Sequence, residues 1–419
     1  MNIAQTAGRI RAQSDAFSGN LSRGLCKVAG RFVGEMVCGI QTRQSVRLSE
    51  VGRSLNESTP LRKTIGRLSR NLDRVGLWEH VSEGVLDEAC PRIGKDTLLV
   101  IDPSDIAKPY AEKMENLAEV RDASQKRIAK GYSTLNIVGV ECGEARITPL
   151  LMSIWSQEAD GFESENSEIL AGVDRVRAHT GQRGVWVIDR GGDRRKLIEP
   201  FLERSMRFVI RMRGDRDVLF RGHKRRMLDV ALGCPTWFAQ RVTKQRDGQE
   251  VSLHLEYGYR KIKLPGIDQP FWLLVITGLG KKPLMLLTNE RLTKSRRRLE
   301  WFVQAYLSRW RIEETIRFVK QSYRLEDIRV RTWRRLCNMM ALVLAASYFA
   351  CAYLGSGAKL EILAEHAMCA AKRIFDIPDF RYYALADGIS EILTASHRRP
   401  TPTEKTDTFP KQLLLFDDW

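Results

Sequence analysis

Short apolar runs alternate with helical periodicities along most of this chain, and their order predicts an α/β protein. Residues 97–101, TLLVI, are rich in β-formers and stop at Asp102, and residues 185–188, VWVI, stop in the same way at Asp189. Around them the pattern predicts strands near 134–141 and 145–155, a helix near 166–179, a strand at 184–188, a helix near 194–204 and a strand at 207–212. From residue 213 to about 290 the character changes. VSLHLEYGYRKIKL and FWLLVITG alternate as strands do, so a β-rich insertion precedes the next helix. Residues 1–92 read as helical, 356–396 as a second helical region, and the chain beyond His397 as a flexible tail poor in apolar residues. Leu336 to Leu354 carries no charge over 19 residues, close to the length that spans a bilayer. Asn338 and Ser347 interrupt it and small residues dilute it, so it is expected as a buried helix covering the sheet, with a membrane span as the alternative.

The helix predicted after the basic run Lys294, Arg296, Arg297 and Arg298 holds the candidate chemistry. Tyr306, Arg309, Glu313 and Lys320 follow Y-x2-R-x3-E-x6-K spacing, and at about 100° per residue they occupy roughly 60° of a helix circumference. Arg317 and Arg324 fall in the same arc. Beside it Ala305, Ile312, Ile316, Val319 and Tyr323 form an apolar strip able to pack on a sheet. Alone, the polar stripe reads equally well as a solvated basic face on which Glu313 is an ion-pair partner. Asp102 and Asp189 change that balance, because a carboxylate just past a buried strand is held at the sheet rim, where open α/β sheets place ligands. With Glu313 they could bind two divalent cations about 3.5–4 Å apart. Hard oxygen donors favour Mg2+, with Mn2+ as a substitute. Asp105 is the nearest competitor of Asp102, Asp193 suits a helix cap, and Glu314 points about 100° away from Glu313. The six histidines show no metal or triad spacing.

Three segments, YLSRWRIEETIRFVK, VIDRGGD and LLVIDPSD, resemble the catalytic blocks of the insertion-sequence DDE transposases that carry the YREK signature. The resemblance covers roughly residues 95–355. It implies a ribonuclease H-like catalytic core over 93–355, with the β-rich insertion of about 213–290 before the catalytic helix, plus a helical N-terminal domain; the element order above is the one this fold requires. It also implies cut-and-paste DNA transposition through a hairpin intermediate and a synaptic homodimer on double-stranded DNA, both element ends and target. By motif position Asp102, Asp189 and Glu313 become catalytic metal ligands, and Tyr306, Arg309 and Lys320 become contacts to the end DNA, joined by their arc neighbours Arg317 and Arg324. Where the family can show a tryptophan on the strand before the catalytic helix, this chain reads PLMLLT around Met285.

Charge agrees with a nucleic-acid partner. The net charge is +17 and the pI near 9.6, which points to a polyanion. Residues 1–74 hold 13 Lys and Arg against 5 Asp and Glu. Within Thr59–Arg74 the cations Arg62, Lys63, Arg67 and Arg70 are spaced among Ile65, Leu68 and Leu72 for phosphate contact, so residues 1–92 are expected to bind the DNA end. Eight cysteines without a C-x2-C pair read as reduced thiols, and the N-terminus lacks a signal-peptide apolar core, so a cytoplasmic, nucleoid-associated bacterial protein is expected. The tail, 397–419, ends in an apolar cluster. Its Q-L-x-L-F pattern is similar to the peptide by which bacterial replication proteins dock on the DNA polymerase sliding clamp. There Gln412 would anchor by hydrogen bonds while Leu413, Leu415 and Phe416 fill an apolar pocket, the alternative being a tail folded back on its own core. Readings from other classes are a non-catalytic DNA-binding relative or inhibitor of transposition, and a ribonuclease H-like nuclease without strand transfer.

Overall fold

The computed structural model describes residues 3–122, 127–144, 146–246, 249–309, 311–365 and 382–396. At its centre lie β1 (Leu98–Ala107), β3 (Arg127–Val140), β4 (Ile147–Trp155), β5 (Val185–Ile188) and β6 (Phe208–Arg211), with β2 (Ala118–Asp122) on the edge of β3. β1 sits between antiparallel β3 and parallel β5, while β4 flanks β3 and β6 flanks β5. The resulting order, β4-β3-β1-β5-β6, is a ribonuclease H-like core. Leu98–Ile101 and Val185–Ile188 are buried throughout, which is why both read as unbroken apolar runs rather than alternating ones. Parallel pairing requires crossovers, supplied by α6 (Glu165–Thr180) and α7 (Arg195–Glu203). Ser164 caps α6 by accepting from the Ser167 N–H at 3.1 Å.

β1 is longer than its apolar run. β3 goes on pairing with it from Asp102↔Asn136 to Ala107↔Gly131, whereas the parallel partner β5 ends at Ile188, opposite Ile101. Asp102 therefore lies inside a strand, yet at the rim of the parallel half of the sheet.

The insertion continues the same sheet. β12 (Leu284–Thr288) pairs antiparallel with β6, followed by β11 (Pro270–Thr277) and β10 (Gln249–Lys263). β9 (Phe238–Arg246) pairs with β10, and the hairpin of β7 (Asp217–Phe220) and β8 (His223–Arg226) closes the far edge. The segment leaving β6 into β7 thus starts beside the Asp189 rim.

Helices before and after the sheet share one core. α2 (Lys27–Arg43), α5 (Leu77–Ala89) and β4 pack on α11 (Trp333–Tyr348), and α1 (Ile3–Leu21), α3 (Leu48–Ser54), α4 (Leu61–Asn71), α12 (Ser356–Glu365) and α13 (Tyr382–Ala395) complete the helical layer. Residues 338–350 are all buried, so the segment long and apolar enough to cross a membrane, Trp333–Tyr353, lies inside the fold. Polar groups fasten it: Gln41 Nε2 donates to the Ala346 carbonyl at 2.6 Å, and Asn338 Nδ2 donates to the Leu72 and Arg74 carbonyls, each at 2.8 Å. Tyr348 Oη donates to the Glu88 carbonyl at 2.8 Å. The tail beyond residue 396, with Gln412, Leu413, Leu415 and Phe416, lies outside the described residues.

Asn338→Ala strands two buried carbonyls at the end of α4. It is expected to destabilise the protein by about 2 kcal/mol, read as a lowered thermal midpoint, whereas an unchanged midpoint would mean that these bonds are replaceable by water.

Candidate active site

Asp102 and Asp189 each follow the last residues that pair β1 with β5, so the two carboxylates stand on adjacent strands at one rim. Two helices carry the residues opposite. α9 (Arg296–Ser308) ends before Arg309 and α10 (Arg311–Ser322) starts after it. At the junction Arg309 N–H bonds Tyr306 O and Ile312 N–H bonds Arg309 O, both at 3.1 Å, a three-residue spacing tighter than an α-turn. Tyr306 thus belongs to α9 and Glu313 and Lys320 to α10, with Arg309 as the C-terminal cap of α9.

Arg309 buries its guanidinium among the acids. Arg309 is only 7% exposed, and its Nη2 donates to Glu313 Oε1 at 2.6 Å. It stands over the Tyr306 ring, 5.7 Å from the centroid. Burial pushes Asp102 up to about 7, and the neighbouring Glu313 and Asp189 carboxylates add to the rise against the opposing Arg309. Burial would also raise Asp189, but Arg309, the Arg190 N–H and Arg211 outweigh it and hold that carboxyl below its usual range. Burial disfavours the Arg309 cation too, yet Asp189 and Glu313 outweigh it and raise the group.

Arg211, at the end of β6, was not singled out by sequence. Its Nη1 donates to Asp189 Oδ1 at 3.3 Å and to Tyr306 Oη at 3.0 Å, and the Tyr306 hydroxyl donates to the same Asp189 oxygen at 3.4 Å. The available signal was a cation ending an apolar strand, FVIR, as Asp102 and Asp189 do theirs. Arg309 and Arg211 both lie within 6 Å of the Tyr306 ring, so the phenol spaces two guanidiniums along the acidic rim.

The remaining candidates lie at varied distances from this centre. Lys320 faces Asp105 at 3.7 Å and Glu326 at 3.5 Å. Arg317 pairs with Glu314 at 2.8 Å, and Glu314 itself is buried, its carboxyl raised first by burial. Arg324 lies beyond α10 in the left-handed region, φ 51°, so the helical arc does not extend to it. In α4, Arg62, Lys63 and Arg70 are exposed, while Arg67 is held by Glu35 at 2.6 Å and Glu57 at 2.8 Å. Asp193 caps no helix: it accepts from the Arg213 N–H and from Arg216. Met285 is buried in β12. The basic start of α9 is compensated, Arg296 by Glu300 at 2.8 Å and Arg298 by Glu290, with Ser295 as cap.

Among the described residues no three His, Cys, Asp or Glu side chains gather closely enough to hold a metal ion, and the Arg309 cation lies among Asp102, Asp189 and Glu313. The donor set still suits a divalent cation: three hard carboxylates, one of them buried and raised by its acidic neighbours.

Carboxylates at paired strand ends, facing a helix that carries a third, put the protein in the class of ribonuclease H-like folds with an acidic rim. Residues 152–349 match the family described as "Transposase DDE domain", a stretch that contains Asp189 and Glu313 and begins after Asp102. This match supports a DDE transposase. No curated protein matches the chain. Among solved structures, the cryo-EM structure of the piggyBac transposase synaptic complex with hairpin DNA is similar at 12% identity, covering 94% of this chain and 80% of that one, with a TM-score of 0.45.

Arg309→Ala leaves the acidic rim without its shared cation. The variant is expected to be destabilised by about 2 kcal/mol in metal-free buffer, and added Mn2+ should restore more of its thermal midpoint than it adds to the wild type. Equal Mn2+ responses in the two proteins would rule out this charge-balancing role.

Proposed function

We propose that this protein is a DNA transposase of the DDE type, in the YREK-signature group, that cleaves insertion-sequence ends and joins them to target DNA. The observation that carries the reading is the side-by-side placement of Asp102 and Asp189 at one rim, with Glu313 brought to them by Arg309. The DDE-domain match over residues 152–349 supports it independently. Asp102, Asp189 and Glu313 would hold the divalent ions, two Mg2+ or Mn2+ in this proposal. When bound, such ions lower the pKa of water and stabilise a leaving oxygen.

The protein's own residues bind and orient. Arg309 Nε is buried with no hydrogen-bond partner among the described residues, which leaves a donor for a phosphate oxygen. Arg211 and Tyr306 adjoin it on the Asp189 side. The reaction in this proposal is hydrolysis of the phosphodiester at the element end, followed by attack of the released 3′ hydroxyl on a second phosphodiester; each step makes one P–O bond as another breaks. Lys320 lies farther along the DNA track, and the exposed Arg62, Lys63 and Arg70 provide phosphate contacts outside the site. Arg67, Arg317 and Arg324 complete the proposed DNA-binding set, with Arg67 and Arg317 exchanging an internal carboxylate for phosphate. A homodimer would bring two ends together. A cytoplasmic setting with DNA as partner follows from the same reading.

Asp102→Ala, Asp189→Ala and Glu313→Ala are each expected to abolish Mg2+-dependent cleavage of end DNA while leaving end affinity within about threefold, because phosphate contacts from Lys and Arg supply most of the affinity. Undiminished cleavage by Asp102→Ala would move that role to Asp105. End binding by a wild type that never cleaves would favour a non-catalytic relative, and cleavage that never joins target would favour a plain nuclease.

The tail adds a proposed partner, the DNA polymerase sliding clamp, through Gln412, Leu413, Leu415 and Phe416. A labelled peptide of residues 408–419 is expected to bind purified clamp in a fluorescence titration, and the Leu415→Ala, Phe416→Ala peptide to lose that binding. Equal titrations would remove the clamp from the account.

A further inference from the structure

The loop that follows β5 carries an acid at each end, Asp189 and Asp193, and one segment of the chain grips both. Asp193 is almost entirely enclosed, its side chain 2% exposed. Its Oδ2 accepts from the Arg213 N–H at 3.0 Å and its Oδ1 from Arg216 Nε at 2.8 Å, with Arg216 Nη2 2.7 Å from the same oxygen. Arg216 Nη2 also donates to the Asp193 carbonyl at 3.2 Å. Two residues ahead of Arg213, Arg211 reaches Asp189 at 3.3 Å. The segment leaving β6 for the insertion therefore fastens both acidic ends of the loop.

Between its ends the loop has little freedom. The Gly192 N–H bonds the Asp189 carbonyl at 2.7 Å, and a Cβ on Gly192 would lie 2.2 Å from Ile188 Cγ2. A shift of the 211–216 segment must then move Asp189 and Asp193 together. Beyond that segment the hairpin β7–β8 exposes His223, Lys224, Arg225 and Arg226, so the far end of the same lever is a basic surface. Stability alone is a weak reason for the pair, because buried ion pairs are often replaceable by apolar side chains without loss. Several donors converging on one buried carboxylate instead fix geometry.

We propose that Asp193 is a positioning residue that couples the β-rich insertion to Asp189, so that the acidic rim takes its working geometry only while the segment Arg211–Arg216 is held. The proposal rests on the transposase reading for its cleavage measurement, and its metal-binding measurement stands apart from that reading.

The test uses the full chain, element-end DNA and Mn2+. Asp193→Ala is expected to slow single-turnover cleavage at saturating DNA about 100-fold, as an ångström-scale displacement of a reacting group does, with end affinity within about threefold. Mn2+ binding by isothermal titration should weaken about tenfold, the loss typical when the support of a ligand is removed. Asp193→Asn retains an oxygen for the Arg213 N–H and should recover part of both losses. A merely structural role would lower the thermal midpoint while leaving the rate and Mn2+ affinity of the folded protein unchanged, and that result overturns the proposal. So does a rate loss matched by an equal loss of end affinity, or an Asp193→Asn no better than Asp193→Ala. If Asp193→Ala does not fold, Arg216→Lys, which keeps the cation and loses the fork, is judged by the same criteria. A wild type that does not cleave defeats the transposase reading, and the Mn2+ titrations still decide the coupling.

Discussion

Three carboxylates cannot stand at one sheet rim without a cation among them, and this constraint organises the site. Adjacent parallel strands deliver Asp102 and Asp189, and the facing helix delivers Glu313. Burial and mutual repulsion push Asp102 up to about 7. Arg309 is what offsets the charge. It is buried among the three acids and reaches Glu313 at 2.6 Å across an i,i+4 spacing. In the proposed reaction a divalent ion would act on the same charges and leave the guanidinium to a phosphate.

The sheet's unequal strand lengths set where this happens. β5 ends at Ile188 while β1 goes on beside β3, so the rim is a step within the sheet rather than its outer edge. The insertion joins through β12 on β6, the strand whose last residue, Arg211, touches Asp189. An insertion attached elsewhere would leave the acids undisturbed. Attached here, its first residues are their neighbours, through Arg211 on one side and Arg213 with Arg216 on the other. On the opposite flank α11 is held by carbonyls and side chains from α2, α4 and α5, so the helices before the sheet and those after it share one apolar core.

Much of this was legible in the chain. Apolar runs ending in Asp102 and Asp189 gave the strands and the rim, because a strand buried on both faces must be apolar and must stop where it meets water. The Y-x2-R-x3-E-x6-K spacing placed Tyr306, Arg309 and Glu313 near one another, because helical geometry is periodic. The buried character of Leu336–Leu354 followed from the polar Asn338 and Ser347 and the small residues that interrupt an otherwise uncharged run. The roles of Arg211 and Asp193 were not legible, since each is defined by partners 20 or more positions away or by a strand joined through the sheet.

What the sequence determined by itself, then, is the order of elements, the acidic residues offered at the strand ends and the basic excess, all of which depend on local propensity, periodicity and composition. Only tertiary structure decided that α9 ends with Arg309 as its cap, that β1 outlasts its apolar run and that Arg67 is consumed by Glu35 and Glu57 while Arg62, Lys63 and Arg70 stay exposed. It also decided that Asp193 binds Arg216 instead of capping a helix. Each of these depends on which distant charge or strand arrives alongside, and a guanidinium or carboxylate takes the partner that packing brings within hydrogen-bonding reach, whatever its neighbours in sequence suggest.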